Sequence, residues 1–255
     1  MISLERLRQL LKQEISKDLP NEPVALLFSG GTDSLTVLWT LMELGAKVTC
    51  YTFHLSYFIS NDARASKVAC KYWNVPQVIV NEDNRDKLTQ LKDVIKIIKS
   101  PRKTHVEVMY GYYFLMQAIK EKHVYSGIQA DTLYGSNKNA AIQCGKKSAK
   151  FFTDYRKALL ANPGQEGLQQ AHLVANHFGK IFHAPYSCQP VRDYFFEYNW
   201  KELNRPKQKM PAIIAFADRF KELPIYRHDD NMQCGSRLRE HLADYVKLYR
   251  RIYNG

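Results

Sequence analysis

The stretch Val24-Ala25-Leu26-Leu27-Phe28, then Ser29-Gly30-Gly31-Thr32-Asp33-Ser34, then the apolar run Leu35-Thr36-Val37-Leu38-Trp39-Thr40-Leu41, leaves this chain little freedom in what it can become. Five apolar residues without alternation predict a strand buried on both faces, the condition of a parallel sheet covered by helices. Ser-Gly-Gly then lets the backbone turn through conformations closed to residues with a side chain and brings it close to a ligand. The helix that follows aims its first amides and the positive end of its dipole at that turn, which makes an anion site. A phosphate is the expected occupant. The plain alternative is an ordinary turn in which Thr32 or Ser34 merely caps the helix.

The chain in order extends this reading. Leu4, Leu7, Leu10, Leu11 and Ile15 predict a helix from Ser3 to about Leu19. After a C-cap at Gly45, Lys47 to Phe53 reads as a second strand, and strand, helix, strand implies a right-handed crossover. Ligands of such sheets lie beyond the strand carboxyl ends, so Thr52, Phe53 and His54 are expected to border the pocket, with backbone groups and an aromatic ring available to adenine. A helix from Asn61, a strand Gln77–Val80, a helix ending before Ser100-Pro101 and an aromatic helix from about Thr104 to Lys122 follow; its aromatics at helical spacing read as core.

His123 to Gly127 then predicts a strand with Asp131 just past its end, on the same rim as Asp33. Two carboxylates there suit Mg²⁺, a hard ion that pyrophosphate oxygens would complete. Asn137 to Lys157 is basic and polar. Gly167–Phe178, Pro190–Glu197, Lys209–Phe220 and Ser236–Tyr253 read as helices, and Lys180–His183 as a short strand. His172 and His177 are five apart, off one helix face, and are not read as a metal pair. The expected organisation is an N-terminal helix over 1–22, an α/β core over 23–143 and a mainly helical acceptor-side region over 144–255.

Composition narrows the partners. With 37 Lys and Arg against 25 Asp and Glu, the net charge is +12, which favours a polyanion such as nucleic acid or, equally, a solvated basic surface. The five cysteines are scattered with no Cys-x-x-Cys pair, so neither a disulfide framework nor a zinc site is indicated. The N-terminus reads as an amphipathic helix rather than a signal peptide, and no apolar run approaches a membrane span. A soluble cytoplasmic protein is expected.

Ser29-Gly30-Gly31-Thr32-Asp33-Ser34 resembles the PP-loop of the ATP pyrophosphatase superfamily, whose members split ATP into AMP and pyrophosphate. It lacks the Gly-Lys-Ser/Thr of a Walker loop and the Gly-x-Gly-x-x-Gly of a dinucleotide fold. The resemblance implies a HUP-like fold of the adenine nucleotide alpha hydrolase type, a twisted parallel sheet with helices on both faces. ATP would be held by Phe28, Ser29, Gly30, Gly31, Thr32, Asp33 and Ser34, with Thr52, Phe53 and Gly127 beside them.

From Val24 to Arg227 the order of motifs resembles the synthetase domain of asparagine synthetase: Tyr51-Thr52-Phe53, then Ser126-Gly127-Ile128-Gln129-Ala130-Asp131-Thr132-Leu133-Tyr134-Gly135, then His183-Ala184-Pro185-Tyr186-Ser187-Cys188, then Gln208-Lys209-Met210. This match implies that Lys209, or its neighbour Lys207, neutralises the departing pyrophosphate while Asp33 and Asp131 hold Mg²⁺. Ile128, Thr132 and Cys188 stand where the family carries acidic residues on its acceptor side, so aspartate is not carried over as substrate. Position 2 is Ile2 rather than a glutaminase cysteine, so nitrogen is expected from free ammonia, an amine or a separate glutaminase.

The resulting expectation is an ATP- and Mg-dependent ligase that adenylates a small-molecule or nucleobase acceptor and joins it to ammonia or an amine. One alternative is an enzyme modifying a nucleobase or nucleic acid. Cys234-Gly235-Ser236-Arg237-Leu238-Arg239 is faintly similar to deazaguanine nitrile synthases, and Cys144, Cys188 or Cys234 could act singly in sulfur insertion. The other alternative is a retired domain that binds ATP or nucleic acid without chemistry.

Overall fold

Val24, Ala25 and Leu26 are fully buried at the centre of a five-stranded sheet, as the unbroken apolar run predicts. The structure, a computed structural model, describes residues 6–136, 148–162, 164, 167–223 and 237–254. Helix α1 (Arg6–Lys17) leads into β1 (Val24–Leu27), α2 (Thr32–Glu43), β2 (Val48–Phe53), α3 (Asn61–Tyr72) and β3 (Gln77–Val80). Helices α4 (Lys87–Ile98) and α5 (Lys103–Ala118) precede β4 (His123–Tyr125) and the short α6 (Ala130–Tyr134). Then come α7 (Ala149–Ala161), α8 (Leu168–His177), β5 (Ile181–His183) and a 3₁₀ turn, Pro185–Ser187. Helices α9 (Gln189–Phe196), α10 (Trp200–Asn204), α11 (Met210–Ala215), α12 (Ala217–Glu222), α13 (Leu238–His241) and α14 (Ala243–Asn254) follow.

The strand order is β3-β2-β1-β4-β5 and every pairing is parallel, with Val24 opposite Val48, Ala25 opposite Val124 and His123 opposite Ile181. The alternation of the strand sends Val24 and Leu26 to one face, where α1, α2 and the ring of Trp39 cover them. Ala25 and Leu27 face the other layer, built from α4, α5 and α8. This is the HUP-like α/β arrangement expected of a PP-loop chain.

Several boundaries differ from the sequence expectation. Helix α5 stops at Ala118, because Ile119 turns extended and the Lys122 carbonyl is needed by Ile181 N at the start of the β4–β5 pairing. The helix expected over Lys209–Phe220 is broken at Phe216, whose ring is fully buried 5.6 Å from that of Trp39. Arg8 holds the break by donating to the Ala215 carbonyl. The helix expected over Ser236–Tyr253 is divided at Leu242. Helices α7 and α10 are additions, and the expected cap Ser3 lies outside the described residues, as do Cys144 and Cys234. Among the described residues no helix is long and apolar enough to cross a membrane.

Candidate active site

The loop between β1 and α2 is shaped by its own side chains. Ser29 Oγ accepts from Gly31 N and lies 3.2 Å from Ser34 Oγ, while Ser34 Oγ donates to the Gly31 carbonyl at 3.0 Å. Gly30 adopts φ +75°, and a Cβ there would sit 2.6 Å from Ser66 N and 2.8 Å from the Ala65 carbonyl carbon. Only glycine fits a left-handed turn pressed against the backbone of α3. Gly31 begins α2 in an extended conformation and with no side-chain cap hydrogen bond, and the positive end of the helix dipole lies at the loop. Thr32 and Ser34 are buried, and Phe28 is a core residue whose amide bonds to the Tyr51 carbonyl.

Thr52 ties this loop to its neighbours. Its hydroxyl donates to the Phe28 carbonyl at 2.6 Å and meets Ser66 Oγ at 3.1 Å, and Gln77 Nε2 donates to it at 3.0 Å. The adjacent Phe53 ring does not face the rim. It is 4% exposed and packs on Tyr110 and Phe114 of α5, so only the backbone of Phe53, not its ring, is placed for a nucleotide. His54 is bonded locally, its Nδ1 lying 2.8 Å from the Leu55 carbonyl and 3.0 Å from Asn81 Nδ2.

The end of β4 comes against the loop from the other side. A Cβ on Gly127 would lie 3.0 Å from the Asp33 carbonyl carbon and Cβ, so this glycine is what lets the segment after β4 approach the first turn of α2. Asp131 sits in the first turn of α6, where Ser136 Oγ donates to its Oδ1 at 2.7 Å.

Lys209 Nζ lies 2.7 Å from Asp33 Oδ2 and 2.9 Å from Asp131 Oδ1. The lysine is 2% exposed, whereas Lys207 points to solvent, which separates the two lysines that the sequence left open. Lys209 has φ +60° and is the residue before α11; its amide is 3.5 Å from Asn204 Oδ1, and Asn204 in turn donates to the Tyr134 carbonyl. Burial opposes charge on Asp131, but the Lys209 ammonium and the hydrogen bonds from Lys209 and Ser136 hold its pKa below the usual carboxylate range. Tyr186, fully buried, bonds Thr36 Oγ1 at 2.7 Å beneath this cluster; burial and the nearby Asp33 carboxylate raise its pKa.

The sequence alone does not single out Ser136, Asn204 or the Tyr186 hydroxyl. Ser136 directly follows the quoted Ser126–Gly135 segment and Tyr186 lies inside the His183–Cys188 segment, so proximity to a motif was the available signal; Asn204 had none. The acceptor-side substitutions are dispersed: Thr132 is buried, Ile128 packs on the core, and Cys188 precedes α9 near α1. Burial raises the Cys188 thiol, with Glu14 adding to the effect, and a thiol held protonated is a poor nucleophile.

The sequence profile of the family described as asparagine synthase matches residues 6–226, most of the chain. The chain belongs to the asparagine synthase family. This membership supports ATP-utilising adenylation and places the loop of Ser29 to Ser34 in the PP-loop superfamily. No curated protein sequence matches the chain. Among solved structures, the predicted subunit of a tRNA methyltransferase from Methanocaldococcus jannaschii is 11% identical, with 87% of each chain covered and a TM-score of 0.40. U34-tRNA thiolase NcsA from Methanococcus maripaludis, with its 4Fe-4S cluster, is 17% identical over 94% of this chain and 89% of that one, with a TM-score of 0.31. Neither likeness bears on what this asparagine synthase family member acts on.

Proposed function

We propose that the chain adenylates an acceptor with ATP and then joins it to ammonia or an amine. The observation that supports this most is the convergence of Lys209, Asp33 and Asp131 at the mouth of the PP-loop. An acceptor carboxylate, amide or carbonyl oxygen forms a bond to the α-phosphorus as the bond to pyrophosphate breaks, and pyrophosphate departs with that electron pair. The loop of Ser29 to Ser34, with the positive end of the α2 dipole, and the Lys209 ammonium would stabilise the negative charge that develops, commonly the largest catalytic contribution. The amine then bonds to the activated carbon, AMP leaves and the nitrogen loses a proton.

The donor set fits Mg²⁺. Asp33 and Asp131 are hard oxygen ligands converging on one point, and among the described residues no cluster of three metal-binding side chains competes with them. Two protein ligands suit an ion that fills its shell with phosphate oxygens and water. When bound, Mg²⁺ would supply charge neutralisation across the phosphates. Lys209 would then turn from the carboxylates toward the leaving group.

The test is incubation with α-labelled ATP and Mg²⁺ against a small-metabolite pool and against total nucleic acid. AMP formed with one pool, and lost in Lys209→Met while ATP still binds, supports the reading. ATP binding without AMP in any pool points instead to a retired domain. The net charge of +12 favours a nucleic-acid acceptor as the second reading, in which a modified nucleobase supplies the attacking oxygen.

A further inference from the structure

Helix α4 carries Lys92 and Lys96 at i and i+4 on one face, Lys99 follows as its C-cap residue, and all three are exposed. Among the described residues no carboxylate pairs with them. They line a surface cleft of about 450 Å³ together with Tyr249 of α14, and the one acid in its lining, Asp93, is engaged by Arg85 at 2.9 Å. Lys99 closes α4 at φ 51°, a left-handed position where glycine is the usual occupant. Helix α14 packs on α4 and adds Lys247, Arg250 and Arg251, all exposed, on the same turns as Tyr249.

This ridge stands at the end of the sheet that carries the PP-loop, on the face opposite α2. Phe53, the last residue of β2, meets Tyr110 and Phe114, whereas Tyr51, earlier in the strand, meets Lys120 and Glu121. Residues Lys103–Met109 of α5 therefore run beyond the strand end, by about 10 Å at 1.5 Å per residue. Helix α4 lies antiparallel to α5, with Gln90 bonded to Tyr110 and Arg85 to Tyr113, so Lys92 to Lys99 project past that same rim. Lys92 to Lys99 span about 10 Å, close to three successive axial rises of roughly 3.4 Å between phosphates of one strand.

We propose that the α4–α14 ridge binds the phosphate backbone of a nucleic acid, with Lys92, Lys96 and Lys99 contacting phosphates and Tyr249 lying in the cleft between the two helices. The partner is specified by its charge: three ammonium groups in a row with no carboxylate partner among the described residues, on a chain of net charge +12, call for a polyanion with regularly repeated charge. The proposal concerns binding alone and is read without ATP, so it stands or falls separately from the adenylation reading.

The experiment is fluorescence anisotropy of labelled transfer RNA titrated with the full chain over a range of salt. In the wild type, log Kd rises linearly with log salt. Combining Lys92→Gln, Lys96→Gln and Lys99→Gln is expected to weaken binding at low salt about tenfold or more and to reduce the salt slope by roughly 2–3. The matched control, Lys67→Gln with Lys71→Gln and Lys201→Gln, removes the same charge from other exposed positions and is expected to change Kd less than about threefold. Lys99→Gly guards against misfolding: it relieves the left-handed backbone, so thermal stability is maintained while affinity still falls about threefold. Equal weakening by both triple variants, salt-independent binding, or equal lysine-dependent binding to phosphatidylserine vesicles would each overturn the proposal.

Discussion

Lys209 Nζ donates to Asp33 Oδ2 at 2.7 Å across 176 residues of sequence. The same ammonium reaches Asp131 Oδ1, so one cation closes a site assembled from the ends of β1 and β4 and the segment before α11. Three distant pieces of chain are held in register by a single charge.

Removing that charge has a defined consequence. Lys209→Met leaves two carboxylates facing one another, and the expected loss is about 1–3 kcal/mol, limited because Asp131 remains partly open to water. Urea unfolding measures it. Added Mg²⁺ should restore more stability to the variant than it adds to the wild type, because the ion takes the place of the ammonium. A variant as stable as the wild type, with no response to Mg²⁺, would show that the pairing is incidental.

Gly30 and Gly45 separate backbone strain from collision. Both have positive φ, but a Cβ at Gly45 meets nothing within 4 Å whereas one at Gly30 meets the backbone of α3. Gly45→Ala is expected to cost about 1–2 kcal/mol, the penalty of a left-handed residue. Gly30→Ala should cost more and abolish ATP binding, read by thermal unfolding and equilibrium dialysis. Equal effects of the two changes would mean that the loop is not pressed on Ser66.

Thr52→Val keeps shape and removes the hydroxyl that joins Phe28, Ser66 and Gln77. The Phe28 carbonyl loses this donor while Gln77 Nε2 keeps its bond to Ser66 Oγ at 2.7 Å, so a loss of about 1–3 kcal/mol is the expected result. ATP affinity should fall with it, because Phe28 leads directly into the loop. Unchanged affinity in a folded variant would place the hydroxyl outside the loop's support.

His183 sets a pH dependence remote from the carboxylates. Burial first, then the neighbouring His123, lowers its pKa from 6.5 to about 4, and its ring stacks on Tyr125 at 4.4 Å. The unfolded chain therefore takes up a proton near pH 6.5 that the folded chain refuses until about pH 4. Stability is unaffected above pH 6.5 and falls as pH drops through this window, by at most about 3 kcal/mol. His183→Phe should flatten the stability profile between those limits in urea titrations; an unchanged slope would assign the acid sensitivity elsewhere.

What could be read from the sequence was local. The β1–loop–α2 unit is encoded by contiguous residues, an apolar run, two glycines and a helical pattern, and the structure has it within a residue or two. The choice between Lys207 and Lys209 depended on Asn204 and on the left-handed turn before α11, neither of which has a periodic signature. The direction of the Phe53 ring was set by which sheet face α5 covers, a tertiary fact. Helix α7 has no clean apolar face in the sequence because Arg156, a charged residue by type, is fully buried over the Phe152 ring and donates to the Leu133, Phe195 and Tyr198 carbonyls. The order of the strands had no local trace either, since among the described residues three helices stand between β4 and β5.

That late arrival of β5 has a bearing on how the chain is made. Synthesis at about 5–20 residues per second delivers Ile181–His183 roughly 3–12 s after His123–Tyr125. During that interval β4 has no neighbour on its outer side, and an open strand edge invites pairing with any other extended chain nearby. A newborn molecule thus passes through a period in which chaperone cover of the Tyr125 side matters more than at any later stage of its life.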